Sequence, residues 1–193
     1  MKHAKCYVKD YPRPQFVRPT YQMLNGYWDF CFDDDDRGEK EGWFKRFPKQ
    51  QVIKVPFTYQ TPKSGIHTTT HHPIVWYHRT IRLSPEQLNE KRLLLHFEGC
   101  DYYTKMYVNG SFIGNHYGGY TRFTFDLTKV IQPGENTITV RVEDDYGCTK
   151  PRGKQRWKDE SYYCCYIDTT GIWKSVWLEF VPEWYLKGIK MSP

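Results

Sequence analysis

No apolar run in the 193-residue chain approaches the length needed to span a bilayer, which argues against a helical membrane anchor. The opening stretch, MKHAKCYVKDYPRP, holds no apolar core of signal-peptide length. The chain therefore reads as soluble and cytoplasmic, although one trimmed of a leader would read the same way. No CxxC pair occurs among the six cysteines Cys6, Cys31, Cys100, Cys148, Cys164 and Cys165. Zinc-ligand spacing and a small disulfide framework are both missing, so free thiols in a reducing compartment are expected. Concentrated charge is absent too. The net charge of +6 is scattered, and its densest stretch, Lys150–Lys158, is broken by Pro and Gly. That argues against a nucleic-acid partner, which calls for a basic face or element. There is no internal repeat, no amphipathic helix of three or more turns and no G-x-S-x-G elbow of a serine hydrolase.

What is abundant is aromatic: 18% of the chain, with seven Trp and sixteen Tyr. The dominant periodicity is two. Trp28, Phe30 and Phe32 share a face against Asp29. Val75, Tyr77, Ile81 and Leu83 oppose Trp76, His78, Thr80 and Arg82. Phe123, Phe125 and Leu127 oppose Arg122, Thr124 and Asp126, and Ile138, Val140 and Val142 repeat the pattern. Leu93–Phe97 is more continuously apolar, as suits a central strand covered on both faces. Asn109-Gly110 predicts a tight hairpin because both central residues need positive φ. Pro133-Gly-Glu-Asn136 predicts a turn, and Ser84-Pro85-Glu86 predicts a capped turn of helix. Many short strands with turn signals between them indicate an all-β, antiparallel two-sheet sandwich. Its predicted core holds Trp28, Phe30, Leu95, Phe97, Phe123, Phe125, Val140 and Val142.

Ordered motifs carry the reading further. Tyr11-Pro-Arg-Pro-Gln15 and Leu24-Asn-Gly-Tyr-Trp-Asp-Phe30 are followed by Val55-Pro56-Phe57, then Val75-Trp-Tyr-His-Arg-Thr80. Leu95-His-Phe-Glu-Gly99, Val108-Asn-Gly110, Phe125-Asp-Leu127 and Pro133-Gly-Glu-Asn136 come next. Pro151-Arg-Gly-Lys-Gln155, Thr170-Gly-Ile-Trp173 and Val176-Trp-Leu-Glu179 complete the set. Together they resemble the N-terminal sugar-binding domain of family 2 glycoside hydrolases, such as β-galactosidases and β-glucuronidases. The resemblance covers nearly the whole chain and implies a jelly roll similar to galactose-binding domains. In that family an immunoglobulin-like sandwich and a TIM barrel follow, and two barrel glutamates perform retaining hydrolysis. It implies a sugar-binding domain over residues 1–183 and, over 184–193, the start of a linker to a domain not in this sequence.

The resemblance implies no catalytic residue here, no cofactor and no metal. The expected function is a non-catalytic domain of a β-glycosidase that helps shape the substrate cleft. Its partners would be a β-glycoside, bound weakly, and the parent's downstream domains, with room for self-association into a homo-oligomer. Alternatives are a free-standing carbohydrate-binding module and a structural interaction domain. Candidate carbohydrate contacts lie in two loops. His71 and His72 follow His67 in a loop that, in the family, reaches toward the sugar; a threonine-rich loop is a poor metal site. Arg152, Lys154, Trp157, Tyr163 and Asp168 lie in the second, where guanidinium donors and ring faces suit hydroxyls and sugar C–H groups. The family's sugar-contacting acidic residue aligns with Cys165, so Asp168 would replace it or else cap a turn beside Thr169. Asp33–Asp36 reads as a solvated acidic turn, without the Gly and Glu of an EF-type calcium loop.

Overall fold

The computed structural model describes residues 11–13, 16–89, 91–147, 149–190 and 192. Cys6, Cys148, Pro14 and Gln15 lie outside them. The strands in chain order are β1 (Tyr21–Met23), β2 (Gly26–Phe32), β3 (Gln51–Val55), β4 (Ile74–Leu83), β5 (Lys91–Phe97) and β6 (Cys100–Asp101). They continue as β7 (Tyr103–Val108), β8 (Ser111–Tyr117), β9 (Phe123–Asp126), β10 (Gly134–Glu143), β11 (Gly171–Ile172) and β12 (Val176–Pro182). A six-stranded sheet runs β3-β2-β4-β10-β7-β8 and a four-stranded sheet runs β1-β12-β5-β9, with β11-β6 as a short third pair. All of these named pairings are antiparallel. The fold is an antiparallel β-sandwich of the jelly-roll kind.

The inner faces of the two sheets make one core. Trp28 and Phe30 of β2, Tyr77 and Ile81 of β4, and Val140 and Val142 of β10 meet Leu93, Leu95 and Phe97 of β5 and Leu178 of β12. Each large side chain taken from water contributes about 1.5–3 kcal/mol. Seven of the eight predicted core residues are buried; Phe125 is half-buried. It lies on the edge strand β9, where one flank has no neighbouring strand, and it packs edge-on against Phe97 and Phe123.

Both outer faces are partly covered. On the six-stranded sheet, Trp76 is fully buried in a second cluster with Cys31, Trp43, Ile74 and Tyr107. The helical turn Gly38–Glu41 caps it, and a Cβ at Gly38 would sit 2.6 Å from the Trp76 ring. Asp33 holds this cap in place. It accepts the Trp76 indole N–H at 2.9 Å and the backbone N–H groups of Arg37 and Gly38 at 2.7 and 2.9 Å. The expectation of a solvated acidic turn is therefore corrected at Asp33, which is 3% exposed. Its carboxylate satisfies donors that burial would otherwise leave unpaired. Asp36 pairs with the buried Arg141 at 2.7 Å.

On the four-stranded sheet, Tyr11, Arg13 and Arg18 lie against His96, Trp177 and Glu179. Tyr11 donates to Glu179, Arg13 sits over Trp177, and His96 stacks on that indole. Burial raises the Glu179 carboxyl to about 7. Burial, reinforced by Arg13, Arg122 and Arg18, lowers the His96 ring to about 3. Thr20 donates its hydroxyl to the Phe180 carbonyl, and Arg18 reaches the Leu186 carbonyl.

Turn chemistry follows the sequence. Asn109 and Gly110 take φ of 50° and 75° and close the β7–β8 hairpin. Ser84 accepts the Gln87 amide while the Gln87 side chain accepts the Ser84 amide, a reciprocal cap.

Candidate carbohydrate-facing loop cluster

Strand pairing gathers the loops. Phe32 pairs with Val75, Ile74 with Glu143, Glu143 with Tyr103, and Tyr103 with Tyr117. One end of the six-stranded sheet therefore carries the segments 33–37, 67–73, 98–102, 118–122, 144–147 and 149–170.

Asp168 is the buried hub of this end, at 0% exposure. Its Oδ1 accepts Arg156 Nε at 2.5 Å and its Oδ2 accepts His71 Nδ1 at 2.9 Å. Burial alone would push this carboxyl up. The hydrogen bonds from His71 and Arg156 outweigh burial and hold it below the usual carboxylate range. An ionised carboxylate only accepts, so the proton of the His71 pair resides on Nδ1. Arg156 also donates to the Thr69 and Asp159 carbonyls, which ties the second loop to the histidine loop. The His71 ring stacks on Tyr146, with centroids 3.8 Å apart. Burial, and then the Asp168 charge, raise the Tyr146 phenol to about 12.

His72 points elsewhere. Its Nδ1 lies 2.9 Å from Asp34 and its ring stacks on Phe32 at 3.7 Å. The two neighbouring histidines thus serve different carboxylates. Among the described residues, no three His, Cys, Asp or Glu side chains converge in a metal-binding group.

Arg152 turns inward. It donates to Asp144 Oδ1 at 3.2 Å, to the Asp145 carbonyl and to the Arg156 carbonyl at 3.2 Å. Lys150 pairs with the Asp144 carboxylate at 2.8 Å and with the Asp145 carboxylate at 2.7 Å. Gln155 donates to Asp101 at 2.9 Å and to Tyr120 at 3.2 Å, and accepts the Thr169 amide at 2.6 Å. Burial, and then the nearby Asp144 carboxylate, raise Asp101 to about 6. The loop also closes on itself: the Arg156 amide donates to the Tyr166 carbonyl and the Tyr166 amide to the Lys154 carbonyl.

Lys154, Trp157 and Tyr163 are exposed, beside Tyr162 and Tyr166. Trp157 meets Tyr162 edge-on with centroids 6.3 Å apart, and Lys158 sits over Tyr162. The arrangement is an ion-paired base carrying outward ring faces. It can stack on C–H surfaces and donate hydrogen bonds. Of the candidate residues, His71, Arg152 and Asp168 meet in or beside the buried network. His72 belongs to a separate pair, and Lys154, Trp157 and Tyr163 form the exposed rim. Arg156, Tyr146, Asp101 and Asp144 escaped sequence reasoning, since no local pattern marks their partners. Asp168 bonds across 97 residues to His71, which is more than a turn cap.

Comparison with known proteins agrees with this architecture. The profile of "Glycosyl hydrolases family 2, sugar binding domain" matches residues 21–182. A β-galactosidase of Thermoanaerobacter pseudethanolicus is 31% identical over 142 residues, covering 72% of this chain and 18% of the relative. A putative β-glucuronidase of Formosa agariphila is 34% identical over 117 residues, covering 61% of this chain and 13% of the relative. Among solved structures, Bifidobacterium dentium β-glucuronidase complexed with coumarin-3-O-glucuronide superposes with a TM-score of 0.70 at 21% identity. That match covers 84% of this chain and 30% of the other. A β-glucuronidase from an uncultured Clostridium gives 0.68 at 26% identity, covering 85% and 29%. The chain spans less than a quarter of the length of these two curated relatives. Among the described residues no helix is long and apolar enough to cross a membrane. The chain belongs to glycosyl hydrolase family 2, as that family's N-terminal sugar-binding domain.

Proposed function

We propose that the loop cluster is one wall of the substrate cleft of a β-glycosidase of the β-galactosidase or β-glucuronidase kind. The wall binds carbohydrate weakly and does not itself catalyse. The parent's downstream barrel supplies the two carboxyls of retaining hydrolysis. Residues 1–183 are the sugar-binding domain, and 184–193 lead toward the next domain. The parent works in the cytoplasm. One observation carries this reading: the buried Asp168 pairs lock the loop of Trp157 and Tyr163 against the His71 loop, so exposed rings stand on a fixed base. His71, His72, Arg152 and Asp168 shape that base, while Lys154, Trp157 and Tyr163 meet the sugar.

A single wall gives little affinity. Each hydrogen bond to a sugar hydroxyl replaces one to water and nets ~1 kcal/mol. A few such bonds plus a stacked ring barely exceed association costs. Calorimetric or NMR titration of the chain with galactose, glucuronate and mannose should give a Kd near ~1 mM or weaker, about −4 kcal/mol. The chain alone should not turn over chromogenic β-galactosides or β-glucuronides. Micromolar binding that is lost in Trp157→Ala would overturn the accessory-wall reading in favour of a free-standing module.

A further inference from the structure

Cys164 and Cys165 are adjacent in the chain, just before Tyr166, which pairs with Lys154 and Arg156. Cys164 is exposed and Cys165 half-buried, and neither is in a disulfide. A tight turn presents them: the Cys165 amide donates to the Tyr162 carbonyl at 2.9 Å, with Tyr163 at a φ of 54°. Being consecutive residues on this turn, the two thiols are held within a single peptide unit of each other. The other described cysteines are unsuited to compete, because Cys31 and Cys100 are fully buried.

We propose that Cys164 and Cys165 form a vicinal dithiol site that closes reversibly to a disulfide with a small-molecule disulfide such as oxidised glutathione. One thiolate attacks a glutathione sulfur, forms a mixed disulfide and expels a glutathione thiolate. The second thiolate attacks the protein sulfur of that mixed disulfide, forms the Cys164–Cys165 bond and expels the second glutathione. The protein gives up two protons and two electrons, and one glutathione disulfide becomes two thiols. Adjacent Cα atoms lie ~3.8 Å apart across a trans peptide. Ordinary disulfides need roughly 4.4–6.8 Å, so the closed ring is strained and readily reduced. Closure bends the backbone immediately before Tyr166, whose amide and carbonyl hold Lys154 and Arg156. The site's redox state is thereby linked to the Asp168 network. This inference does not depend on the carbohydrate reading.

The test is mass spectrometry of the whole chain with peptide mapping. Oxidised glutathione should remove two hydrogens from the peptide holding residues 164 and 165, and millimolar reduced glutathione should restore them. Phenylarsine oxide bridges two thiols with loss of water. The reduced chain should retain one equivalent against excess monothiol, and the oxidised chain none. Cys164→Ser and Cys165→Ser should each abolish both reactions, whereas Cys6→Ser and Cys148→Ser should keep both. A disulfide mapped to another pair, a stable glutathione adduct on Cys164 without closure, or arsenical retention in Cys165→Ser would overturn the proposal.

Discussion

Replacing Asp168 by Asn keeps the side-chain shape and removes the charge, so it isolates what the buried carboxylate contributes. The wild-type group accepts from Arg156 at 2.5 Å and from His71 at 2.9 Å with no exposure. Hydrogen bonds to a charged group contribute about 1.5–3 kcal/mol each, and removing one partner of a buried pair costs about 3–5 kcal/mol. Asn still offers one carbonyl oxygen, and Arg156 keeps its bonds to the Thr69 and Asp159 carbonyls. The expected loss is therefore at the lower end, ~3 kcal/mol at neutral pH. Urea denaturation should show a lower midpoint with an unchanged slope. Thermal unfolding should show a Tm lower by roughly 6–12 °C for a chain of this size. The pH dependence has a definite sign. The folded carboxyl sits below its usual range, so its contribution is complete above the unfolded carboxylate pKa, ~3.9, and fades as pH falls through the folded value. The gap between wild type and variant should therefore narrow in acid. A loss below ~1 kcal/mol at pH 7 would refute the claim that this carboxylate is the hub of the loops.

Asp101→Asn tests the opposite shift. Burial and Asp144 raise Asp101 to about 6, so the folded chain holds this proton where the unfolded chain has lost it. Stability therefore falls as pH rises from about 4 to about 6. Asn keeps an acceptor for Gln155 and removes that slope, so urea titrations should show the variant gaining on wild type by up to ~3 kcal/mol between pH 4 and pH 8. Equal pH profiles would contradict it. Gly171→Ala should destabilise by at least ~3 kcal/mol in the same assay, through strain and overpacking together. Its φ is +102°, and a Cβ there would lie 2.0 Å from the Tyr77 hydroxyl. An Ala variant of wild-type stability would show that this backbone gives way easily.

The strands were legible because period two is local. Val75, Tyr77, Ile81 and Leu83 all face the core as the alternation requires. Asn109-Gly110 and Ser84-Pro85 announced their turns through φ and capping demands that few other residues meet. Alternation, however, cannot tell whether an outer face is covered. Trp76 points away from the main core and is nevertheless fully buried, because Gly38 and Trp43 fold over it. Arg79 occupies an inward register between Tyr77 and Ile81. Its guanidinium lies over the Trp28 ring and donates to the Leu24 carbonyl. The loop cluster was legible as a set of suitable side chains but not as a wiring scheme. Arg152 reads as a ligand-facing guanidinium, yet Asp144 and two carbonyls claim it. Such pairings depend on which strand ends meet, and that is a property of the whole topology.

The neighbouring positions of the first and last strands of the four-stranded sheet have a mechanical consequence. Tyr21 of β1 pairs with Glu179 of β12, and the strands are antiparallel, so the chain enters and leaves at the same end of one ladder. Tension between the two connections pulls across this pair rather than along it. Once the contacts of Tyr11, Arg13 and Arg18 with Glu179, Trp177 and Leu186 are lost, the bonds break one after another from Thr20–Phe180 inward instead of resisting together in shear. Stretched in an optical trap, the domain should open by unzipping from this doorway at low force, with the six-stranded sheet yielding later.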